Sequence, residues 1–450
     1  MPTCAIKSTR SPATFCLLLI ANLWAAVAAL SCPALAQVAT AQDAISYNIR
    51  KGDTLFSLNR QYFIRADDWK RVQKINRVAD PRRLAVNRQL RIPISILKYR
   101  PAGATVAAFR GQATAAQGNA PLRSLAVGQM LGEGARMATG PASSLSLSLT
   151  DGSVITLPSN SALRITRLRK LVMTDSIDYD LALESGAVRS RVTPFRNAAD
   201  RFRLRNPIAV SAVRGTDFRT RYDAQQNFAY AELIEGGLAV TRPDNQQEAQ
   251  LGPNYGAVIG KAGGITTEQL LIAPALVSGG GVQRTETLAF AIEPVPGAQG
   301  YRLQIARDSG FIDVVADEPG NGTDFTLPAL ANGNYFARFT AFAASGLEGM
   351  PGTFAFRRRL NTTALAAASG DDGYTFRWIG TGEGLRRYRF QLRSESSPVP
   401  LVDEAQLAAS SIIVSDLPPG RYAWRVGTTL YADGDADTAW TEFESFVVDE

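Results

Sequence analysis

Histidine is absent from the 450-residue chain, and cysteine occurs only three times. All three cysteines, Cys4, Cys16 and Cys32, lie close to the N-terminus. Catalytic Ser-His and Cys-His pairs are therefore excluded, and so are zinc sites built on histidine or on cysteine thiolates beyond residue 32. Because no other catalytic motif is present, we expect a protein that is not an enzyme and that uses no metal and no cofactor.

One acidic pattern needs separate consideration as a metal site. Asp433, Asp435, Asp437 and Glu444 follow the spacing of calcium ligands in an EF-hand loop. Thr438, however, stands where that loop needs its turn glycine, and no flanking helix is predicted. We therefore expect a solvated loop before the last strand.

Residues 1–36 have the pattern of a secretory signal peptide. Lys7 and Arg10 give a positive start, an apolar segment runs from Phe15 to Leu30, and Ala34-Leu35-Ala36 is a small-residue cleavage site. Cleavage would start the mature chain at Gln37 and remove every cysteine. Export without disulfides is the resulting expectation.

Two alternatives concern how this N-terminal segment is used. It would serve as a transmembrane anchor if it were not cleaved, or Cys32 would become a lipid-modified N-terminus. No later apolar run approaches the roughly 20 residues that a span requires, so no membrane span is expected in the mature chain. The formal charge of +7 falls to +5 when Lys7 and Arg10 are removed, which permits anionic partners without requiring them.

Residues 45–94 predict a small β-α-α-β unit. Ile45, Tyr47 and Ile49 alternate as in a strand, two segments of helical periodicity follow, and Gln89 to Ile94 closes the unit. Asp53 is predicted to cap the first helix by accepting hydrogen bonds from its free backbone amides.

This unit resembles the LysM family in Tyr47 to Leu55, in Asn76 and in Leu90 to Pro93. Asn87 replaces the usual glycine before the last strand, and asparagine also tolerates positive φ. The resemblance implies binding of N-acetylglucosamine glycans, chiefly peptidoglycan, in a groove between the loop after the first strand and the loop before the last. On this chain the implied glycan-binding residues are Gly52, Asp53, Thr54, Leu55, Asn76, Arg77, Val78, Pro81 and Leu84.

The composition of residues 99–121, rich in Ala, Gly, Gln and Thr, predicts a flexible linker. From residue 122 to residue 259 the sequence changes to short alternating strands separated by turn residues. Leu145, Leu147 and Leu149 alternate with serines, and Asp151-Gly152 predicts a hairpin turn. We expect a β domain that needs no helix.

This stretch resembles the FecR domain at four successive landmarks: Leu149 to Ser153, Leu183 to Val188, Val213 to Phe218, and Ile234 to Val240. The resemblance implies the periplasm of a Gram-negative-type envelope. The best-known members relay a transporter signal to a cytoplasmic sigma factor through a membrane helix. This chain lacks such a helix after the signal segment, so we expect the domain without the sigma-factor relay.

Residues 160–222 are strongly basic, with 13 Lys or Arg against 6 Asp or Glu. Arg201, Arg203 and Arg205 alternate on one strand face, which predicts either a solvated sheet face or a surface for anions. Arg214 and Asp217 flank a turn and are predicted to pair with each other. Nucleic acid is not an expected partner of an exported protein.

Residues 260–285 are predicted to form a second linker, and an internal repeat follows it. Gly333 to Arg338 echoes Gly420 to Arg425, and two further segment pairs recur at an offset of 86 or 87 residues. The copies, at residues 286–360 and 370–450, resemble fibronectin type III-like β-sandwiches. Their aromatic residues are predicted to lie in the cores: Phe290, Tyr335, Trp378, Tyr422 and Trp424.

The sequence therefore predicts a mainly β, multidomain protein. The leading hypothesis is an exported, non-enzymatic peptidoglycan-binding protein whose FecR-like domain presents a surface to an envelope protein. One alternative is a periplasmic regulatory sensor that passes a signal to a separate membrane protein. Another is an accessory wall enzyme, which the missing histidine disfavours.

Overall fold

The structure, a computed structural model, describes residues 44–260, 263–370, 372–432 and 434–449. The predicted signal peptide, Cys32 and the predicted mature start at Gln37 lie outside the described residues. The chain divides into two compact units, one up to Lys98 and one from Tyr99 onwards. No helix among the described residues has the length and apolarity needed to cross a membrane.

The first unit has the predicted β-α-α-β order. Its elements are β1 (Ala44–Asn48), α1 (Leu55–Tyr62), α2 (Asp68–Asn76) and β2 (Gln89–Pro93), followed by a 3-10 turn at Ile94–Ile96. Strands β1 and β2 pair antiparallel. The helices pack on this ribbon around a core of Ile45, Leu55, Leu58, Phe63, Val72, Leu90, Ile92 and Leu97.

The start of α1 differs from the prediction, because Thr54 and not Asp53 caps the helix. Thr54 Oγ1 accepts a hydrogen bond from the Ser57 amide at 2.9 Å, and Ser57 Oγ accepts one from the Thr54 amide at 2.9 Å. This reciprocal capping satisfies two backbone donors at once. The Asp53 carboxylate points back and accepts from the Arg50 amide at 2.7 Å and from the Tyr47 hydroxyl at 2.9 Å.

The second unit begins in the segment that was predicted to be a flexible linker. Residues 99–121 instead contain β3 (Tyr99–Pro101), β4 (Ala104–Arg110) and β5 (Ala113–Gln117). Ala104, Val106, Ala113 and Ala115 alternate along these strands and are buried. Because alanine side chains are small and only weakly hydrophobic, the alternation of buried residues is hard to see in the sequence. The composition therefore predicted a linker where the structure has strands.

Strands β3 to β20 form one closed barrel. The remaining barrel strands are β6 (Arg123–Ser124), β7 (Met130–Leu131), β8 (Ala135–Thr139), β9 (Ser144–Leu149), β10 (Val154–Leu157), β11 (Ala162–Leu171), β12 (Ile177–Arg191), β13 (Arg201–Arg205), β14 (Val210–Val213), β15 (Asp217–Asp223), β16 (Phe228–Glu235), β17 (Leu238–Thr241), β18 (Glu248–Leu251), β19 (Tyr255–Gly260) and β20 (Gly264–Gln269). The predicted absence of helices from 122 to 259 agrees with this order.

The barrel strands form two sheets that share the long strand β12. Up to Ser185 it pairs with β11 and, in parallel, with β13, whereas from Gly186 onwards it pairs with β15. Gly186 has a φ of 78°, and a Cβ there would lie 2.5 Å from the Asn160 carbonyl oxygen. Glycine therefore lets the strand pass from one sheet to the other. A single apolar core fills the space between the sheets.

The second predicted linker, residues 260–285, also contains strands. β20 completes the barrel, while β21 (Leu276–Ser278) and β22 (Gly281–Gln283) join the first sandwich. Ile265 and Leu276 pack against the two respective cores. Glycines concentrated around these short strands led to the linker prediction, but the strands gain their stability from pairing with distant residues.

Two β-sandwiches follow, as the internal repeat predicted. The first adds β23 (Leu288–Ile292), β24 (Ala298–Ala306), β25 (Val314–Gly320), β26 (Asp324–Leu327), β27 (Gly333–Ala343) and β28 (Gly352–Arg358). The second contains β29 (Thr363–Gly370), β30 (Gly373–Gly380), β31 (Leu385–Ser394), β32 (Val402–Leu407), β33 (Ser411–Val414), β34 (Gly420–Ala432), β35 (Asp435–Trp440) and β36 (Glu444–Val448).

Corresponding strands occupy corresponding places in the two copies. Sheet β21-β23-β26 faces β22-β28-β27-β24-β25 in the first sandwich, and β29-β30-β33 faces β32-β31-β34-β35 in the second, where β36 also pairs with β34. The five aromatic residues that were predicted to be core are buried: Phe290, Tyr335, Trp378, Tyr422 and Trp424.

The acidic residues near the C-terminus lie in strands and not in the expected loop, since Asp435 and Asp437 belong to β35 and Glu444 begins β36. Asp437 pairs with Arg284, with an Nη2–Oδ1 distance of 2.6 Å, and Asp435 pairs with Arg357 at 2.8 Å. Both arginines belong to the first sandwich or to its edge. These pairs connect the two sandwiches, whereas Asp433 lies outside the described residues.

Candidate functional site

The two loops predicted to frame a groove are held together by backbone hydrogen bonds. The Leu55 amide donates to the Pro81 carbonyl oxygen at 2.9 Å, which joins the start of α1 to the loop before β2. The Ile49 and Asn87 amides donate to the Arg88 and Ile49 carbonyl oxygens at 2.9 and 3.0 Å. Asn87 adopts the expected positive φ, at 64°. The spacing between the loops is therefore set by main-chain atoms.

The first loop leaves open space beside Gly52. Gly52 is exposed, its φ is 90°, and no atom lies within 4 Å of the position a Cβ would take. Next to it, Asp53 fastens the loop to β1 through the Tyr47 hydroxyl. Burial, together with the Asp53 carboxylate, raises the pKa of Tyr47 to about 12. The tyrosine therefore remains a neutral hydrogen-bond donor at any physiological pH.

Three of the predicted site residues have side chains that are already engaged in contacts within the protein. Leu55 is fully buried in the core, and Thr54 uses its hydroxyl as the helix cap. Asn76 donates to the Val72 and Arg91 carbonyl oxygens, both at 2.8 Å, and accepts from the Arg91 amide at 2.7 Å. Its amide thereby joins the end of α2 to β2.

The other predicted residues remain accessible. Arg77 ends α2 with a φ of 50° and is exposed, while Val78, Pro81 and Leu84 are half-buried. Val78, Pro81 and Leu84 supply apolar surface on the second loop. The structure thus provides two tied loops with an unfilled glycine position on one and partly exposed apolar side chains on the other.

The whole unit carries a strong positive charge. Residues 44–98 contain 13 Lys or Arg and 4 Asp or Glu. Several of these cations are exposed on the loops themselves, namely Lys51, Arg77, Arg82, Arg83 and Arg88. The two loops therefore present a basic surface around the apolar residues.

In the barrel, the basic stretch 160–222 divides into two groups. Arg203 and Arg205 lie against two buried carboxylates of β12, with Arg205 Nε 2.9 Å from Asp180 Oδ1 and Arg203 Nη2 3.7 Å from Asp178 Oδ1. Arg203 is therefore buried in an ion-pair network, whereas the Arg205 side chain at the edge of this network is 40% exposed. The solvated face that one interpretation expected is only partly solvated.

Arg214 and Asp217 do not form the predicted pair. Asp217 accepts a two-pronged hydrogen bond from Arg189, at 3.0 and 2.7 Å, and Arg214 is exposed. Asp217 instead compensates a charge on the neighbouring strand β12.

A second group of arginines borders a cavity of about 390 Å³ that sequence reasoning did not find. It lies between the barrel and the first sandwich. We call it the arginine cavity because it is lined by Arg189, Arg219 and Arg221 of the barrel and by Arg302 and Arg338 of the sandwich. The sequence does show arginines at alternating positions of strands whose other face is apolar. It does not indicate that the polar face of the barrel contacts the polar face of the first sandwich.

Comparisons with protein families confirm both sequence resemblances. Residues 47–93 match the LysM domain family, and residues 135–238 match the FecR protein family. The LysM match includes both loops described above. The FecR match covers β8 to the start of β17. No curated protein matches the chain.

Two solved structures are similar to parts of this chain. A candidate anti-sigma factor from Parabacteroides distasonis is 18% identical, with a TM-score of 0.26, and the match covers 30% of this chain and 59% of that one. A two-domain fibronectin type III segment of chicken tenascin is 15% identical, with a TM-score of 0.24, over 40% of this chain and 100% of that one.

Proposed function

We propose that this chain is an exported, non-enzymatic protein that binds peptidoglycan, or another N-acetylglucosamine glycan, through the groove of residues 45–94. The observation that carries the proposal is the LysM match over two loops that are tied together yet leave accessible surface. The second unit would then present its surface to a partner in the envelope.

The groove suits a glycan chain on physical grounds. The bare backbone at Gly52 lets a sugar approach closely, and Val78, Pro81 and Leu84 offer apolar contact to sugar ring faces. The surrounding cations complement the carboxylates on the peptide stems of peptidoglycan. Leu55 would support the groove from beneath, since its side chain is already engaged in the core.

Sedimentation with purified peptidoglycan tests this function. The chain from Gln37 onwards should co-sediment with the polymer, whereas a chain starting at Tyr99 should remain in solution. Leu84→Asp should weaken binding, while Val86→Asp, at an exposed position in the same loop, provides the matched control. Equal retention of the chain from Gln37 and the chain from Tyr99 would refute the proposal.

Salt separates the contribution of charge from that of the groove. Raising the salt concentration from about 50 mM to about 500 mM should weaken but not abolish sedimentation, because screening reduces only the exposed charge contacts. Loss of all binding at high salt, with Leu84→Asp behaving like the parent, would indicate unspecific adsorption to the basic surface. Absence of released muropeptides in the same samples tests the non-enzymatic part of the proposal.

A regulatory role is a second candidate function. The FecR match favours it, since that resemblance implies a domain that passes on a periplasmic signal. Here a separate membrane protein would receive the signal. Cross-linking in intact cells, with the chain from Tyr99 onwards compared with the whole exported chain, would reveal whether a defined membrane protein contacts the second unit.

A further inference from the structure

The barrel and the first sandwich contact each other through the outer faces of their sheets, which are the faces turned away from the two apolar cores. On β27, Ala337 and Phe339 point into the sandwich core, while Arg338 and Thr340 point the other way. Both polar residues are nevertheless buried, with Arg338 only 5% exposed. The barrel covers this polar face, so charges that would normally be solvated are enclosed.

Direct contacts hold the two faces together. Arg219 Nη1 of the barrel lies 3.0 Å from Glu348 Oε1 of the sandwich. The Glu348 amide donates to Glu232 Oε1 at 3.2 Å, and Arg221 donates to the Gly346 carbonyl oxygen. These contacts surround the arginine cavity and fix its walls.

Most of the charges that line the arginine cavity are compensated. Arg189 pairs with Asp217, Arg302 pairs with Asp317 at 2.5 Å, and Arg219 pairs with Glu348. Arg221 has a backbone acceptor and stacks on the Tyr230 ring at 3.9 Å. Each of these cations therefore has an electrostatic partner on the protein.

Arg338 differs from these arginines. Its guanidinium carbon lies 3.5 Å from the centre of the Phe311 ring, and its Nε is buried without a hydrogen-bond partner among the described residues. Asp217, the carboxylate that attracts Arg338, is already held by the two-pronged contact with Arg189. A buried guanidinium nitrogen without an acceptor is costly, because its lost hydration is not replaced.

Two other donors of the same walls also lack a hydrogen bond to any described residue, although Arg219 Nε lies 3.8 Å from Glu232 Oε2. Arg219 Nε and Thr220 Oγ1 are buried and have no hydrogen-bond partner in the described part of the chain, and both residues line the arginine cavity. Burial, reinforced by the neighbouring Arg189, lowers the pKa of Arg338 to about 8. The walls thus carry five arginines against three carboxylates, Glu232, Asp317 and Glu348, and an anion would compensate this excess of positive charge.

We infer that the arginine cavity is a binding site for a small organic anion whose carboxylate or phosphate group pairs with Arg338. The planar guanidinium fork fits either group. Phe311, Val314 and Phe342 line the same space, which suits an apolar part of the ligand. A volume of about 390 Å³ lies within the range of small-molecule sites. This inference is independent of the glycan-binding proposal.

Calorimetry with three related probes tests the inference on the chain from Gln37 onwards. Phenyl phosphate and benzoate each combine an anionic group with one ring, and phenol is their uncharged counterpart. At least one of the two anions should bind and raise the melting temperature, whereas phenol should do neither. Binding by phenyl phosphate alone or benzoate alone identifies the anionic group that the site prefers, and absence of binding by both overturns the inference.

Arg338→Leu distinguishes a ligand site from a structural arginine. The variant should bind the anion at least about tenfold more weakly, because one charge-assisted contact is lost. Without ligand, its melting temperature should equal or exceed that of the parent, since a poorly compensated buried charge has been replaced by an apolar group. Arg377→Leu, at an exposed position of the second sandwich, is the matched control. Unchanged anion affinity, or a lower melting temperature without ligand, would show that Arg338 has a structural role and would overturn the inference.

Discussion

Arg219 and Glu348, which are 129 positions apart, form an ion pair of 3.0 Å between the barrel and the first sandwich. Both side chains are nearly enclosed, and Glu348 also approaches Arg302 at 3.4 Å and accepts from the Thr340 hydroxyl at 2.7 Å. One carboxylate thus compensates two arginines. The barrel and the sandwich are connected through buried charge in addition to the chain between them.

Removing the charge of Glu348 should destabilise the second unit. Glu348→Gln leaves Arg219 and Arg302 with less compensation in a buried place, and breaking such a pair costs about 3 kcal/mol of unfolding free energy. Chemical denaturation of the chain from Tyr99 onwards measures this cost. Glu318→Gln, at an exposed position of the same sandwich, should leave the unfolding free energy unchanged.

The cost of Glu348→Gln should depend on pH. Burial alone would raise the pKa of Glu348, but Arg219 and Arg302 outweigh it and hold the pKa at about 2. A lowered carboxyl pKa stabilises the folded state above the ordinary pKa, and that stabilisation is lost as the pH falls towards 2. The difference in melting temperature between variant and parent should therefore shrink between about pH 5 and about pH 2.5. A difference that stays constant would contradict this account of the pair.

Asp53 should stabilise the first unit through its turn and not through the helix. Asp53→Ala removes hydrogen bonds from the Arg50 amide and the Tyr47 hydroxyl, at a cost of about 1–3 kcal/mol. Thr54→Ala removes the cap itself and should cost about 1 kcal/mol. Melting of residues 37–98 measures both costs, and the melting temperature should fall at least as much in Asp53→Ala as in Thr54→Ala. An unchanged melting temperature in Asp53→Ala would contradict the role of the turn.

Tyr47 gives the first unit a distinctive response to alkali. Because its pKa is raised to about 12, the folded state keeps a proton that the unfolded chain loses near pH 10. Stability should therefore be intact below about pH 10 and fall as the pH rises towards 12. In Tyr47→Phe this decline should be absent from the melting curves of residues 37–98. A decline of equal size in the variant would assign it to another group.

Much of the fold could be predicted because local patterns and global packing agree. The order of the first unit, the strands after residue 122 and the repeat of the sandwiches all follow from hydrophobic periodicity. The two linker predictions failed for a common reason. Most of their strands are short or rich in Ala, Gly and Thr. Their stability therefore comes from partners such as Leu147, which pairs with Val106, and not from the segment itself.

The candidate sites could be predicted only where one segment carries the information. The loop pair around Gly52 was predictable because both loops lie within one short segment that follows a family pattern. The role of Asp53 was assigned to the wrong element because a carboxylate before a helix has more than one donor within reach. The arginine cavity needs Arg219 and Arg338 from separate domains, and strand alternation says only that such faces are polar, not that they meet.

Gly215 should contribute to the stability of the barrel, because its positive φ and the close approach of Pro194 both favour glycine at this position. Its φ is 71°, and a Cβ would lie 2.7 Å from the Pro194 Cα. Strained backbone of this kind costs about 1–3 kcal/mol in a residue with a side chain, before any clash with Pro194 is added. Gly215→Val should therefore lower the unfolding free energy of the chain from Tyr99 onwards by at least this amount in chemical denaturation. Gly237→Val is the matched control on the adjoining turn, since no atom lies within 4 Å of its Cβ position and its φ is not positive. If the two variants unfolded at the same denaturant concentration, the close approach of the turn to Pro194 would not be a determinant of stability.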